Sequence, residues 1–271
     1  MLILYHPLLQ SFFANVGVLF EEVTKENWKV RTPTQLFAHN VQRKDTQQID
    51  PFQDVAGTGV LGRMADVLTE NGFQTGSFSI SGENFVLAAE PQKSPEINFI
   101  SKKGVSKFNE NPSTEDMNIA MSNINKPTMS TSGKFGKTWS DLFDQSVRQS
   151  DLIYEALNGL SLDTTFPSSN LGRSLEQVSK IIKAKDDFKQ DRQFFFVSDG
   201  GWDTHANQGE VFDVKLPDMN DCIEAFKTEM VAQGQWDNVV FVMASDFGRT
   251  LVSNSGLGTD HAWGGKIYIL L

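Results

Sequence analysis

Several residue types that commonly mark a function are scarce in this chain of 271 residues. Its single cysteine, Cys222, excludes an internal disulfide and a zinc site built from cysteines. No run of 18 apolar residues occurs, so the sequence predicts no transmembrane helix. Lys and Arg number 24 against 34 Asp and Glu. This net charge of -10 disfavours binding to nucleic acid and to anionic membranes, because both carry negative charge.

Apolar residues are plentiful enough for a large core. The chain contains 21 Phe and is 39% hydrophobic, and its length suits one domain, or one domain with a large insertion. The stretch 90–137 is rich in Ser, Asn, Thr, Lys and Pro and shows weak periodicity. We interpret it as an insertion or a mobile loop on the surface of a single α/β domain over 1–271.

The spacing of apolar residues predicts alternating helices and strands. Apolar positions three or four apart predict helices at 7–14, 59–70, 139–157, 171–183 and 219–230. Short apolar runs predict strands at 16–20, 73–80, 194–197, 239–244 and 266–271, while 21–58 is expected to be loop. Helices that alternate with continuous apolar strands are typical of a parallel sheet covered by helices, in which ligands bind beyond the carboxyl ends of the strands.

A dense polar cluster follows the predicted strand 194–197. Asp203 and His205 are two residues apart, so both side chains point to the same side of an extended chain. A carboxylate and an imidazole directed at one point bind a divalent cation or form an acid–base pair. The alternative is a hydrogen-bonded turn in which Asp203 only orients His205.

Two further polar segments flank the last two predicted strands. Asp246 directly follows the first of these strands, where a carboxylate ligand at a strand end belongs, and Arg249 has the forked guanidinium that holds anions. The alternative for this pair is an Arg249–Asp246 ion pair that closes a loop. Asp260 and His261 lie in a glycine-flanked turn, which can direct both side chains into one cavity. The alternative for this segment is a surface turn anchored by Trp263.

These three segments are expected to converge, because the ends of neighbouring strands meet at one edge of a doubly wound sheet. They contain two of the four histidines of the chain. Carboxylate and imidazole ligands together suit zinc, manganese or a similar divalent ion. The sequence therefore predicts a metal site or an acid–base site at this edge.

Five short blocks resemble the signature blocks of the domain of unknown function family 1501 (DUF1501), which is similar to the alkaline phosphatase-like and sulfatase-like superfamily. The three most specific blocks are DGGWDTHANQ (199–208), ASDFGRT (244–250) and GTDHAWGG (258–265). Two upstream blocks are QLFAHNVQ (35–42) and GTGVLGRMAD (57–66). The resemblance covers most of the chain apart from 90–137.

The resemblance implies a three-layer α/β/α sandwich with a mostly parallel sheet and an alkaline phosphatase-like core. Members of the superfamily commonly hold one or two divalent metals and cleave or transfer phosphate or sulfate esters. By position, Asp203, His205 and His261 are similar to the ligands of one metal, and Asp246 is similar to a ligand of a second. Asp260 would serve either metal or orient His261.

The same resemblance implies roles for two residues beside the metals. Arg249 would bind a non-bridging oxygen of a small anionic ester substrate. His39 would face the same cavity, although an upstream histidine also suits a structural role. The implied mechanism is in-line attack on phosphorus or sulfur while metals neutralise the ester oxygens. Relatives that carry export signals imply an extracytoplasmic location.

Three departures from the superfamily pattern affect the expected activity. The pattern places an Asp and a nucleophilic Ser or Thr at the first strand, whereas this chain begins with a block that resembles the part after that strand. Phe247 stands where a His commonly follows the second-site Asp, and the chain ends on the apolar run 267–271. We therefore expect an incomplete copy that lacks its first strand and its C-terminal end. The alternatives to a hydrolase are a catalytically silent domain that keeps the pocket for an anionic ligand or a partner protein, and a structural scaffold.

Overall fold

Helices and strands alternate along the described part of the chain. The computed structural model describes residues 10–17, 22–32, 35–48, 57–91, 93–94, 96–106, 119, 123 and 133–270. Within these ranges the fold is mixed α/β, with two three-stranded sheets. Within the same ranges, every helix is too short or too polar to cross a membrane.

The elements of the described residues are numbered here in chain order. The strands are β1 (Gln10–Val16), β2 (Thr75–Ser79), β3 (Ile97–Phe99), β4 (Arg192–Phe196), β5 (Phe241–Ala244) and β6 (Gly265–Leu270). The helices are α1 (Trp28–Arg31), α2 (His39–Gln47), α3 (Val60–Glu70), α4 (Lys134–Leu157), α5 (Asn170–Lys183) and α6 (Gln208–Ala232). A single 3₁₀ turn, Trp236–Asn238, leads into β5.

One sheet is parallel and contains the centre of the core. Its order is β3-β2-β4, and all five residues of the central strand β2 are buried. Complete burial of a strand is typical of a parallel sheet with both faces covered. Phe78 of β2 packs in one cluster with apolar residues of α5 and α6, including Val178, Ile181, Phe226 and Met230. The carboxyl ends of β2, β3 and β4 therefore lie together at one edge.

The second sheet is antiparallel, with the order β1-β6-β5. Ala244 at the end of β5 pairs with Ile267 near the start of β6. The segment that leaves β5 and the segment that enters β6 are therefore brought to the same edge. This pairing corrects the expectation that 239–244 belongs to the parallel sheet: β5 is an edge strand, and its residues alternate between partly buried and exposed instead of being buried throughout.

Most of the predicted helices and strands are confirmed within the described residues, with three differences and one strand that is only partly described. The helix predicted at 7–14 is wrong over its described part, because residues 10–14 pair with β6 as part of β1. Of the strand predicted at 16–20, residues 18–20 lie outside the described residues. The predicted loop 21–58 contains α1 and α2. The stretch 90–137 contains β3, which pairs with β2, and the start of α4.

Helix α3 begins in close contact with the backbone of residues 85–89. Gly59 N donates to Ala88 O at 2.7 Å, and Leu61 N donates to Val86 O at 2.9 Å. A Cβ atom built on Gly62 would lie 2.0 Å from Ala88 O, which is far inside van der Waals contact. Gly62 is therefore required by the approach of two backbones, and this explains the small residues at the start of the GTGVLG block.

We expect Gly62→Ala to destabilise the fold by about 1–3 kcal/mol, because the added methyl group forces α3 away from residues 85–89. Gly209→Ala is the matched control, since a Cβ on this helical glycine meets nothing within 4 Å. The control should stabilise α6 by up to about 1 kcal/mol through helix propensity. Denaturant unfolding measures both values, and equal effects of the two substitutions would contradict the packing explanation.

A buried carboxylate ties the loop between α4 and α5 to helix α6. Glu229 is fully buried, and its Oε2 accepts hydrogen bonds from Asp163 N at 3.0 Å and Thr164 N at 2.8 Å. Gln233 donates to Oε1 at 2.8 Å. Burial alone would raise the pKa of Glu229, but the donors from Gln233, Thr164 and Asp163 outweigh it and lower the pKa below its usual value.

We expect Glu229→Gln to cost about 1–3 kcal/mol of stability at neutral pH, because an amide cannot accept all of these hydrogen bonds. A lowered folded-state pKa means that the stabilisation is fully present above the usual glutamate pKa and is lost as the pH falls through the folded-state value. The difference in unfolding free energy between wild type and variant should therefore shrink in acid. Glu224→Gln, on an exposed position of the same helix, is the control. A difference in unfolding free energy that stays constant with pH would contradict this role of the ionised carboxylate.

Candidate metal centre

Four segments of the chain meet at the edge where β5 ends and β6 begins. Asp203 and His205 follow β4, and His261 precedes β6. An isolated β-bridge joins Arg249 to His261, and another joins the segment after β4 to the segment before β6. The fourth segment is the start of α2, which contributes His39. The three polar segments expected to converge therefore do so, and they are joined by His39, which the resemblance implied would face the same cavity.

Three imidazole rings direct the same nitrogen at the carboxylate of Asp203. Oδ1 of Asp203 lies 2.9 Å from Nε2 of His205 and 2.9 Å from Nε2 of His261. Oδ2 lies 3.4 Å from Nε2 of His39. The Nε2 atoms of His205 and His261 are themselves 2.9 Å apart. Ligand atoms of His39, Asp203 and His261 all lie within 4.8 Å of one another, which is a spacing that one metal ion can bridge.

The other nitrogen of each ring is held by an oxygen acceptor. Nδ1 of His39 lies 3.0 Å from Asp246 Oδ2, and Nδ1 of His205 lies 3.2 Å from Asp260 Oδ1. Nδ1 of His261 lies 2.6 Å from Phe37 O. Carbonyl and carboxylate oxygens only accept hydrogen bonds, so the oxygen beside each Nδ1 favours a proton on Nδ1, whereas Asp203 beside each Nε2 favours a proton on Nε2. With the proton on Nδ1, each Nε2 presents a lone pair, which is the orientation that metal-ligating histidines adopt; with the proton on Nε2, the ring donates to Asp203.

His39 is positioned by the start of α2 and by an aromatic contact. It is the first residue of that helix, and its ring centroid lies 4.5 Å from that of Phe247. The ring of Phe247 also lies 4.5 Å from that of His261, and Phe247 is buried. The Nε2 atom of His39 is buried and has no hydrogen-bond partner among the described residues. An unsatisfied buried nitrogen carries an energetic cost that a bound cation would remove.

Asp203 is the most strongly perturbed carboxylate of the site. Partial burial would by itself raise the pKa of Asp203. Hydrogen bonds from Arg249 and His261, and the charge of His205 when it is protonated, together hold that pKa well below its usual range. The lowered pKa favours the ionised carboxylate at neutral pH, so Asp203 is available there as an anionic ligand.

Arg249 belongs to the same cluster, but its partner is not Asp246, the residue considered from the sequence alone. Its Nη1 donates to Asp203 Oδ1 at 2.6 Å, and its Nε donates to Thr259 Oγ1 at 2.9 Å. Its Nη2 donates to Thr259 O. The alternative of an Arg249–Asp246 ion pair is therefore wrong within the described residues. Arg249 instead joins Asp203 to the segment before β6.

The two remaining predicted carboxylates lie behind the histidine rings. Asp246 accepts from His39, and Asp260 accepts from His205 instead of orienting the adjacent His261. The structure therefore brings all seven predicted site residues together. It places Asp246 and Asp260 where they fix the rings of His39 and His205, whereas their expected role as direct metal ligands stays a prediction.

Asn254 is a positioning residue that the sequence patterns did not reveal. Its Nδ2 donates to His205 O and to Asp260 Oδ1, both at 3.0 Å. Its Oδ1 accepts from Gly256 N at 3.0 Å and from Gly258 N at 3.1 Å. The side-chain amide thus uses its full hydrogen-bonding capacity. An asparagine in a polar loop is a common turn residue, so only its contacts distinguish it.

Two glycines allow the segments to approach this closely. A Cβ on Gly258 would lie 2.2 Å from the backbone carbon of His205, and a Cβ on Gly248 would lie 1.8 Å from Gly264 O. Any side chain at either position would separate the segments that hold the histidines. Backbone contact therefore explains Gly248 in the second polar segment and Gly258 at the start of the third.

The arrangement offers three imidazole nitrogens, one ionised carboxylate and one guanidinium at a single point. Two imidazole nitrogens that lie 2.9 Å apart, and each 2.9 Å from a carboxylate oxygen, require positive charge among them, because acceptors face both nitrogens of each ring. That charge is either a proton shared between the rings or a divalent cation. Nitrogen and oxygen donors of this kind suit zinc and related ions.

The class of this protein is mixed α/β, with Asp203, His205 and His261 from strand-end segments and His39 from the start of α2. The chain belongs to the family described as a protein of unknown function, DUF1501, which matches residues 85–271, more than half of the chain. The match includes the three C-terminal blocks and the stretch 90–137, and it begins after the two upstream blocks. Neither a curated protein nor a solved structure matches the chain.

We expect Asn254→Ala to raise the pKa of Asp260 in the metal-free protein. The hydrogen bond from Asn254 is the largest cause of the lowered pKa of this carboxyl group, followed by the hydrogen bond from His205. NMR titration of carboxyl carbons measures the shift. Ser253→Ala, at an exposed position of the same loop, should leave the Asp260 titration unchanged. An unaltered titration in the Asn254 variant would show that this amide does not position Asp260.

Proposed function

We propose that this protein is a metal-dependent hydrolase of phosphate or sulfate esters. One observation carries the proposal: the Nε2 atoms of three histidines converge on the ionised carboxylate of Asp203. Three ring lone pairs and an anion are a donor set for a divalent cation. Zinc or manganese fits this mixture of nitrogen and oxygen donors.

The described residues fit such an ion on two counts. The orphaned Nε2 of His39 gains a partner when a cation binds, which removes the cost of its burial. All three Nδ1 atoms are already engaged by oxygen acceptors, so the rings need no rearrangement before binding. We assign His39, Asp203 and His261 as the central ligands, with His205 beside them, because the first three offer mutually close ligand atoms.

The protein groups have separable roles in the proposed reaction. A divalent ion supplies Lewis acidity at an ester oxygen and lowers the pKa of bound water. Arg249, partly buried beside Asp203, orients that carboxylate and offers positive charge to a non-bridging oxygen of the ester. Asp246 and Asp260 keep the protons of His39 and His205 on Nδ1, which leaves each Nε2 free for the cation.

The proposal includes the fold that the resemblance implies, a three-layer α/β/α sandwich with an alkaline phosphatase-like core. The parallel order β3-β2-β4 and the packing of α5 and α6 against Phe78 of β2 support it. The position of the histidine and aspartate residues after β4, after β5 and before β6 also supports it. In folds of this kind, ligands bind at the carboxyl edge of the parallel strands.

A second candidate is a catalytically silent domain that keeps the pocket for an anionic ligand or a partner protein. One observation favours it: all three kinds of guanidinium nitrogen in Arg249 already donate to Asp203 or Thr259. An ester oxygen would have to compete with these contacts or share them. A silent domain needs no such exchange.

Elemental analysis of the purified protein, together with assays on an aryl phosphate and an aryl sulfate, distinguishes these functions. We expect about one divalent ion per chain in the wild type and little in Asp203→Asn and His261→Ala. Asp237→Asn, an exposed aspartate in the turn before β5, is the matched control and should keep its metal.

Each outcome assigns one function. Metal with ester turnover that is lost in both variants supports the hydrolase, whereas metal without turnover supports the silent domain. If the wild type binds no zinc or manganese when either is supplied in excess, and the substitutions change only stability, the cluster is a structural scaffold and the proposal fails.

A further inference from the structure

A second recess lies at the edge of the parallel sheet, beyond the carboxyl ends of β2, β3 and β4. It has a volume of about 660 Å³. That volume falls in the range of roughly 300–1,000 Å³ that is usual for small-molecule sites. We call this recess the cleft. None of the seven predicted site residues lines it, so it is separate from the candidate metal centre.

Hydroxyl groups from three parts of the chain line the cleft. Ser81 Oγ accepts from Ser198 N at 2.8 Å, Ser101 Oγ accepts from Lys103 N at 3.1 Å, and Ser169 Oγ accepts from Gly172 N at 3.1 Å. Each oxygen already accepts one hydrogen bond from the backbone, which restrains its position and leaves its hydrogen for another acceptor. Ser169 Oγ also contacts Cys222 Sγ at 3.4 Å, so Ser81 and Ser101 are the two of these hydroxyls that can donate into the cleft.

The charged side chains that line the cleft cancel one another. Lys215 Nζ lies 3.1 Å from Asp199 Oδ2, and that carboxylate also accepts from Trp202 Nε1 at 2.7 Å. Lys102 and Asp218 also line the cleft, and neither forms an ion pair with another described residue. Two cations and two anions give no net field that would select an anion. They supply separate strong donors and acceptors, and a polyhydroxylated ligand uses both.

The cleft lies close to the candidate metal centre along the chain. Gly201 lines the cleft, and Asp203 follows two residues later. Two residues span at most about 7 Å, so the two sites are near enough for one small molecule to reach both. Trp202 lies between Gly201 and Asp203 in the chain, and its Nε1 donates to Asp199. The Nζ atom of Lys215 lies 4.7 Å from the centroid of the Trp202 ring.

We propose that the cleft binds a sugar or a similar neutral polyol. The observation behind it is the combination of positioned hydroxyl donors with one cation and one anion that form no ion pair with another described residue, in a recess of ligand size. If the proposed hydrolase function holds, the cleft receives the alcohol portion of the substrate, which is then a sugar phosphate or sugar sulfate. This second statement rests on the proposed function, whereas sugar binding itself does not.

Saturation-transfer difference NMR on the full chain tests the proposal with glucose, galactose and N-acetylglucosamine as probes. We expect at least one of the three to bind, and binding to weaken at least tenfold in Gly200→Phe. Gly200 lines the cleft, and a Cβ there meets open space, so the phenyl ring occupies the cleft without a backbone clash. Lys102→Ala should also weaken binding, by at least threefold.

Matched controls separate the cleft from general effects of substitution. Gly209→Phe places the same ring at another open glycine, and Lys103→Ala removes an exposed neighbouring charge; neither residue lines the cleft. Both controls should bind sugar as the wild type does. If none of the three sugars binds, or if Gly200→Phe binds them as tightly as Gly209→Phe, the proposal is wrong.

Two further measurements keep this proposal distinct from the hydrolase. Titration with inorganic sulfate and phosphate alone shows whether the cleft selects anions. Anion binding that is lost in Lys102→Ala, without binding of any sugar, overturns the polyol proposal. Bound metal is measured in the same samples. Sugar binding by a protein that holds no metal and turns over no ester supports sugar binding by the cleft and contradicts the proposed hydrolase function.

Discussion

The convergence of three imidazole nitrogens on one carboxylate is the constraint on which the rest of this site depends. Asp203 lies within 3.4 Å of Nε2 atoms from His39, His205 and His261, and every Nδ1 is already engaged by an acceptor. Such a cluster is stable only with positive charge at its centre. Arg249 supplies part of that charge from one side. A divalent cation would supply the rest and satisfy the buried nitrogen of His39.

The fold is arranged so that this cluster can form. The antiparallel pairing of β5 with β6 brings the segment after one strand beside the segment before the next. Gly248 lets those two backbones touch, and Gly258 lets the segment before β6 contact the backbone of His205. The side chain of Asn254 also ties this loop to the segment after β4. The parallel sheet delivers the Asp203 segment to the same region and leaves a hydroxyl-lined cleft beside it. Residues 198–205 thus contribute both to the cleft and to the candidate metal centre.

Residue type and order were enough to predict Asp203, His205 and His261 as neighbours, whereas His39 was placed at the site only by the family resemblance. The expected reason, that these strands share one sheet edge, is wrong within the described residues: β4 belongs to the parallel sheet, β5 and β6 belong to the antiparallel sheet, and isolated β-bridges join their segments. The side-chain directions of Arg249, Asp246 and Asp260 follow from the antiparallel pairing of β5, which an apolar run cannot specify. A second non-local pairing, of β1 with β6, makes residues 10–14 strand instead of helix. Asn254 has no signature beyond that of an ordinary turn residue, and the stretch 90–137, expected to be surface decoration, supplies Ser101 and Lys102 to the cleft.

X-ray absorption spectroscopy of the zinc-loaded protein at the zinc edge tests the central claim most directly. The account predicts a first shell of nitrogen and oxygen at about 2.0–2.1 Å, with the outer-shell scattering that imidazole rings produce from at least two histidines. A spectrum with oxygen neighbours alone and no imidazole scattering would contradict it, because the three Nε2 atoms would then converge on Asp203 for a reason other than metal binding.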